Sequence, residues 1–269
     1  MNIPNLVQRL LLAVIAIPVL YLCLRQGGIL SLIAVDIIIF FALLEFIGLL
    51  RGKGFRPNWV LTVFGALALS WDVQFARGGD IPLVLLGTLI LALLSGLARR
   101  DRSNFLVDAW LALFGVLFIG FCVSCVLLIR QLPAGADFAV LVFLLIWICD
   151  TAAYFVGASL GRRKLWPQVS PKKTVEGTAA GLLGAWAAAF AAKLIFLPGL
   201  STLDCIALGA IAGVLGQAGD LAESAFKRWM GVKDSSHILP GHGGFLDRFD
   251  SLLFTAPSIY YYVKLVAHH

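Results

Sequence analysis

Long apolar blocks recur nine times along this chain, near residues 10–25, 29–50, 57–71, 82–98, 106–129, 138–160, 178–197, 203–223 and 251–267. A helix rises about 1.5 Å per residue, so about 20 apolar residues cross a hydrocarbon layer about 30 Å thick. Inside that layer the backbone has no water to bond, and a helix satisfies its own amides. The blocks are therefore read as transmembrane helices. The block at 57–71 is short enough to be a re-entrant segment instead, which would make the count eight. Composition agrees: 60% of the residues are hydrophobic and only 13% are charged, where a soluble chain carries about a quarter charged residues. The expected fold is an all-α polytopic membrane bundle of about nine transmembrane helices. The first block lacks a clean cleavage site and ends in Arg25, so it is read as a true span rather than a signal peptide.

The distribution of charge orients the bundle. With nine spans, Arg9, Arg51, Lys53, Arg56, Arg99, Arg100, Arg102, Arg162, Arg163, Lys164, Lys172, Lys173, Lys227, Arg228, Lys233 and Arg248 fall on one side, 16 of the 21 basic residues. Arg25, Arg77, Arg130, Lys193 and Lys264 make up the remaining five. Basic residues collect on the cytoplasmic side of membrane proteins. This places the amino terminus in the cytoplasm and the carboxyl terminus outside. The net charge of +6 is spread over separate segments rather than one stripe, which argues against a nucleic-acid partner.

The five cysteines lie in apolar blocks. Cys122 and Cys125 have CxxC spacing, but no second pair completes a zinc site. They are read as small apolar residues. The chain is otherwise unequal in its two halves. Residues 1–135 have short loops and few polar intramembrane residues (Asp36, Glu45 and Asp108), and are read as a scaffold half. Residues 136–269 carry two long polar cytoplasmic loops, at 161–177 and 224–250, and are read as the catalytic half of one continuous membrane domain.

Acids in a membrane are costly unless they are paired, metal-bound or facing water. Asp220, Glu223 and Lys227 follow one another at three- and four-residue spacing and share a helix face. A metal shell is one reading, and an internal Glu223–Lys227 salt bridge is the other. The loop that follows contains Pro240-Gly241-His242-Gly243-Gly244. Such glycines allow tight turns and close approach to a ligand, leaving amides free for phosphate. His242 suits a phosphate contact or a proton role, whereas His237 reads as an ordinary loop residue. Asp247 and Asp250 then repeat the three-residue spacing, with Arg248 between them. Two acid pairs bracket one loop, and hard oxygen ligands favour magnesium. Upstream, Lys172 and Lys173 precede Thr174 and Glu176 at a helix amino terminus, a place suited to anions. A cytoplasmic flank would also be basic there. Asp150 in the sixth block is either a ligand or a packed, hydrogen-bonded acid. These parts together point to phosphate chemistry at a membrane surface. No GxxxxGKS or GxxxxGKT loop is present.

Ser224-Ala225-Phe226-Lys227-Arg228, Lys233-Asp234, Pro240 to Gly244 and Asp247-Arg248-Phe249-Asp250-Ser251 closely resemble the signature of the phosphatidate cytidylyltransferase (CDP-diacylglycerol synthase) family. Asp150–Gly157 and Ser170–Gly177 resemble its two upstream motifs. The resemblance implies a helical membrane bundle, a homodimer, with a polar funnel open to the cytoplasm and the bilayer of a bacterial plasma membrane. It implies that CTP and phosphatidate give CDP-diacylglycerol and pyrophosphate with magnesium, and a second metal ion is compatible with that chemistry. Asp220, Asp247 and Asp250 would be metal-site carboxylates supported by Glu223, and Lys227 would act beside them in catalysis. Lys172, Lys173, Arg228, His242, Gly243, Gly244 and Arg248 would hold the substrates. Two rivals remain open: a CTP-dependent kinase of a lipid alcohol or polyprenol, and an ion-coupled transporter with Asp36, Glu45, Asp150 and Asp220 along its path.

Overall fold

The structure, a computed structural model, describes residues 3–98, 103–236 and 244–266, with side chains from Val14 onward. Among the described residues, each apolar block coincides with a helix or a continuous helical run. These are α1 (Ile3–Gln26), α2 (Gly28–Gly52), α3 (Trp59–Ala76), α4 (Ile81–Leu97), α5 (Phe105–Arg130), α6 (Gly135–Ser159), α7 (Val175–Ile195), α8 (Thr202–Met230) and α9 (Asp250–Leu265). Between α6 and α7 lies an antiparallel hairpin of β1 (Lys164–Trp166) and β2 (Ser170–Thr174). A single 3-10 turn, Leu246–Arg248, precedes α9. Arg99, Arg100, Arg102 and the segment 237–243 lie outside the described residues, as does the side chain of Arg9.

Among the described residues, six helices (α2, α3, α5, α6, α7 and α8) are long and apolar enough to cross a membrane. Two more apolar helices are shorter, α4 and the Val14–Gln26 part of α1, and α9 has 16 residues. Large apolar side chains point outward: Leu83 is 67% exposed, Tyr154 69% and Leu194 85%. Such a surface would be a liability in water but suits lipid.

The chain packs as two compact units, residues 1–128 with 230–248, and residues 129–229 with 249–269. In the first, α2, α3 and α5 pack together. A Cβ on Gly120 would stand 2.7 Å from the Cβ of Ala66, and one on Gly115 would meet Phe46, Leu43 and Thr62. Close backbone approach at small residues is how helices associate where water gives no driving force. Gly120 lies in a π-helical stretch, Val116–Phe121, inside α5. Asn58 caps α3, its side chain accepting from the Leu61 amide.

In the second unit α6 and α7 make the most extensive helix pair. Gly177, Gly181 and Gly184 line the contact. A Cβ on Gly177 would lie 2.7 Å from the Ala153 carbonyl oxygen and 3.0 Å from the Cα of Gly157. Thr174, the last residue of β2, caps α7 by accepting from the Gly177 amide. At the start of α8, Ser201 and Asp204 form a reciprocal capping box, and Tyr262 of α9 donates to Asp204 at 2.7 Å. A second π-helical stretch, Ile211–Gly216, interrupts α8 and packs against α9.

Backbone atoms oppose any side chain at Gly177, so Gly177→Val should force α6 and α7 apart and cost about 1–3 kcal/mol. Thermal denaturation in detergent should show a lowered midpoint. Gly48→Ala, where a Cβ meets nothing within 4 Å, should not lower it.

Candidate active site

The residues singled out in the sequence fall into two groups, one in each unit. In the second unit, the α6–α7 contact and the β1–β2 hairpin fix where β2 delivers its lysines. Lys172 is exposed. The Nζ of Lys173 lies 2.7 Å from Asp220 Oδ2, joining the upstream motif to α8. Asp220 Oδ1 accepts from Ser224 Oγ at 3.3 Å. The exposed Arg228 donates from Nε to the Val169 carbonyl at 3.3 Å, tying the end of α8 to the hairpin. Glu176 accepts from the amides of Arg162 and Arg163, closing the turn into β1.

Asp250 opens α9, and its Oδ1 accepts from the Ser251 amide at 2.5 Å. Burial pushes its carboxyl well above the usual aspartate range, and the negative charge of Asp220 pushes it further. Asp150 adds to the rise, while Lys173 opposes it. Asp220, Asp250, Asp150 and Lys173 therefore share one electrostatic neighbourhood. α9 comes close because α8 is bare there. A Cβ on Gly219 would lie 2.8 Å from the Asp250 carbonyl oxygen, and one on Gly216 would lie 3.1 Å from Thr255 Oγ1.

The spacing Glu223–Lys227 offered an ion pair as one alternative, and that pair forms, at 2.5 Å with Glu223 buried and Lys227 partly buried. Gln217, also buried on α8, donates to the carbonyls of Thr178 and Gly213.

The first unit holds Gly244, Asp247 and Arg248. Asp247 Oδ2 accepts from the amides of Gly244 (2.9 Å) and Ser235 (3.3 Å), bridging the two ends of the glycine loop. Arg248 is exposed. His242 and Gly243, expected to touch substrate, lie outside the described residues. Sequence reasoning gave no loop-holding role to Glu45, which accepts four hydrogen bonds from Ser235, Ser236, Phe245 and Leu246. Its only sign in the sequence is a carboxylate within an apolar block.

Among the described residues, no three His, Cys, Asp or Glu side chains converge as a ready metal cage. Magnesium does not require one: it takes one or two carboxylates and fills its octahedron with water and substrate phosphate. Burial first, and the like charge of Asp220 second, disfavour a charged Asp250 carboxylate with no cation beside it. The buried Ser251 Oγ has no hydrogen-bond partner among the described residues. This oxygen donor set fits a hard divalent cation.

A profile of the cytidylyltransferase family matches residues 7–266, and the chain belongs to that family. It is 33% identical over 258 residues to a phosphatidate cytidylyltransferase of Staphylococcus saprophyticus, spanning 93% of this chain and 95% of the relative. A Staphylococcus aureus protein of the same name is 33% identical over 253 residues, with the same coverage of both chains. One from Bacillus subtilis is 45% identical over 150 residues, 55% of this chain and 56% of the relative.

Removing one partner of a buried ion pair leaves the other charge poorly compensated. Lys227→Met should destabilise the folded protein by about 3–5 kcal/mol. Adding Glu223→Leu should recover part of the loss, as a double-mutant cycle in detergent would measure.

Proposed function

We propose that the chain transfers CMP from CTP to phosphatidate, giving CDP-diacylglycerol and pyrophosphate for phospholipid synthesis. One observation carries this reading within the family. Lys173 of the upstream motif is ion-paired to Asp220 of α8, in the electrostatic neighbourhood of Asp250. A cation and two acids are thus gathered from three stretches of a chain that matches the family over nearly its whole length.

A phosphatidate oxygen attacks the α-phosphorus of CTP. The new O–P bond forms as the bridging bond to the β-phosphate breaks, and pyrophosphate leaves with that electron pair. The attacking phosphate is already an anion near pH 7, so no strong base is required. The difficulty is repulsion between anions. Lys172, Lys173 and Arg228 supply positive charge for phosphate oxygens, and the Lys173–Asp220 pair fixes one of these charges in place. Asp220 and Asp250 would hold magnesium, which supplies charge neutralisation for the nucleophile and the leaving group. A second metal ion fits the same chemistry. Glu223 holds Lys227 on the α8 face, and the signature assigns Asp247 to the metal chemistry as well.

The finer topology belongs to the same proposal. Nine spans, with the amino terminus in the cytoplasm and the carboxyl terminus outside, place the basic loops and the chemistry on the cytoplasmic face of a bacterial inner membrane. A homodimer accords with the family resemblance. The transporter reading loses ground because two of its acids are already engaged. Asp36 accepts from Ser70 and Trp71, and Glu45 is filled by loop donors.

Purified protein in phosphatidate vesicles, given labelled CTP and magnesium, should yield lipid-bound CMP and pyrophosphate in equal amounts. A chelator should abolish both. Phosphorylated lipid with CDP would instead establish the lipid-kinase reaction. Asp220→Asn and Asp247→Asn should each lower turnover at least about 100-fold while the protein still folds. Near-normal turnover would remove the residue from the mechanism.

A further inference from the structure

Glu45 lies in α2, 190 residues before the first of its partners, and is 3% exposed. Both of its carboxylate oxygens are used twice. Oε1 accepts from Ser236 Oγ at 2.5 Å and from the Phe245 amide at 2.6 Å. Oε2 accepts from Ser235 Oγ at 2.7 Å and from the Leu246 amide at 2.8 Å. Each oxygen thus takes one hydroxyl and one backbone amide. The hydroxyls come from the segment before the glycine loop, and the amides from the segment after it. One turn earlier on α2, the ring of Phe41 packs on Phe245, with centroids 5.4 Å apart. The helix therefore grips the returning segment with an apolar and a charged contact together.

The grip reaches Asp247 through shared neighbours. Asp247 accepts from the amides of Ser235 and Gly244. Ser235 is thus bonded to Glu45 by its hydroxyl and to Asp247 by its amide. Gly244 sits tightly between these groups: a Cβ there would fall 1.6 Å from Ser235 Oγ and 2.6 Å from Glu45 Oε2. No side chain fits unless the clamp opens.

We propose that Glu45 is a positioning residue for the transfer reaction: by closing both ends of the signature loop on one carboxylate, it fixes the orientation of Asp247. The role rests on the cytidylyltransferase reading, whereas the clamp itself does not. A glutamine cannot replace the carboxylate. Its amide nitrogen would face a backbone N–H, and a backbone donor, unlike a hydroxyl, cannot turn away.

The test compares wild type with Glu45→Gln, Ser235→Ala and Ser236→Ala. The serine variants each remove one donor and leave the charge in place, so they report even if Glu45→Gln folds poorly. Amide hydrogen exchange in detergent, without substrate or metal, should rise at Ser235, Gly244, Phe245 and Leu246 in Glu45→Gln and less in the serine variants. In vesicles, kcat should fall and the magnesium needed for half-maximal rate should rise, by about 10- to 100-fold in Glu45→Gln, with KM for CTP within about threefold. Unchanged exchange in the folded variants would overturn the clamp. A loss of rate that only tracks the loss of folded protein, with the magnesium requirement unmoved, would reduce Glu45 to a structural residue. If the wild type makes no CDP-lipid, the cytidylyltransferase reading and the positioning role fail together, while exchange still decides the clamp.

Discussion

A charge placed in hydrocarbon has no water to fall back on, and an uncompensated one costs several kcal/mol. Each acid within the apolar helices of this chain must therefore find donors or a cation, and the ways they do so organise much of the structure. Asp36 is held by Ser70 and Trp71 of α3. Asp108 of α5 takes the amide of Arg56. Asp204 uses its own helix cap and Tyr262 of α9. Glu223 takes Lys227, one turn along the same helix. The first three tie neighbouring elements together, and all four use up the charge they satisfy.

Asp220 and Asp250 are treated differently. Lys173 is an ion-pair partner for Asp220, but two further acids share the same neighbourhood, and burial together with those charges drives the carboxyl of Asp250 upward. Frustration of this kind is what separates a site from a structural bridge. A hard cation or an oriented phosphate-bound ion would relieve it, so ligand binding and local stability would favour the same arrangement. The close approach within this neighbourhood is made by Gly216 and Gly219 of α8. There the backbone of α9 occupies space that a side chain would otherwise fill.

Hydropathy made the helices legible, because the requirement for about 20 apolar residues is a strong local signal. Boundaries were less so. The block at 57–71 reads short because Asp72 and Gln74 are polar, yet α3 runs on to Ala76. The eighth block ends at 223, yet α8 continues to Met230, carrying Lys227 and Arg228 on its amphipathic end. Neither π-helical stretch left a mark in the residue pattern, and each packs against another helix. The site was legible where its members are close in sequence, as with Glu223 and Lys227. The Lys173–Asp220 pair required tertiary structure, and the Glu45 clamp more so, because nothing local in an apolar helix announces donors some 200 residues away.

The first unit is discontinuous: the chain leaves it at Leu128 and returns at Met230. Glu45 is synthesised early, and the four groups that satisfy it emerge only after the whole second unit except its last helix. Throughout that interval the nascent membrane protein carries a carboxylate in α2 without its mature partners. The unit is thus incomplete in time as well as in sequence. Arrival of the signature loop is the event that closes it, so completion of the first unit and delivery of Asp247 are a single step of assembly.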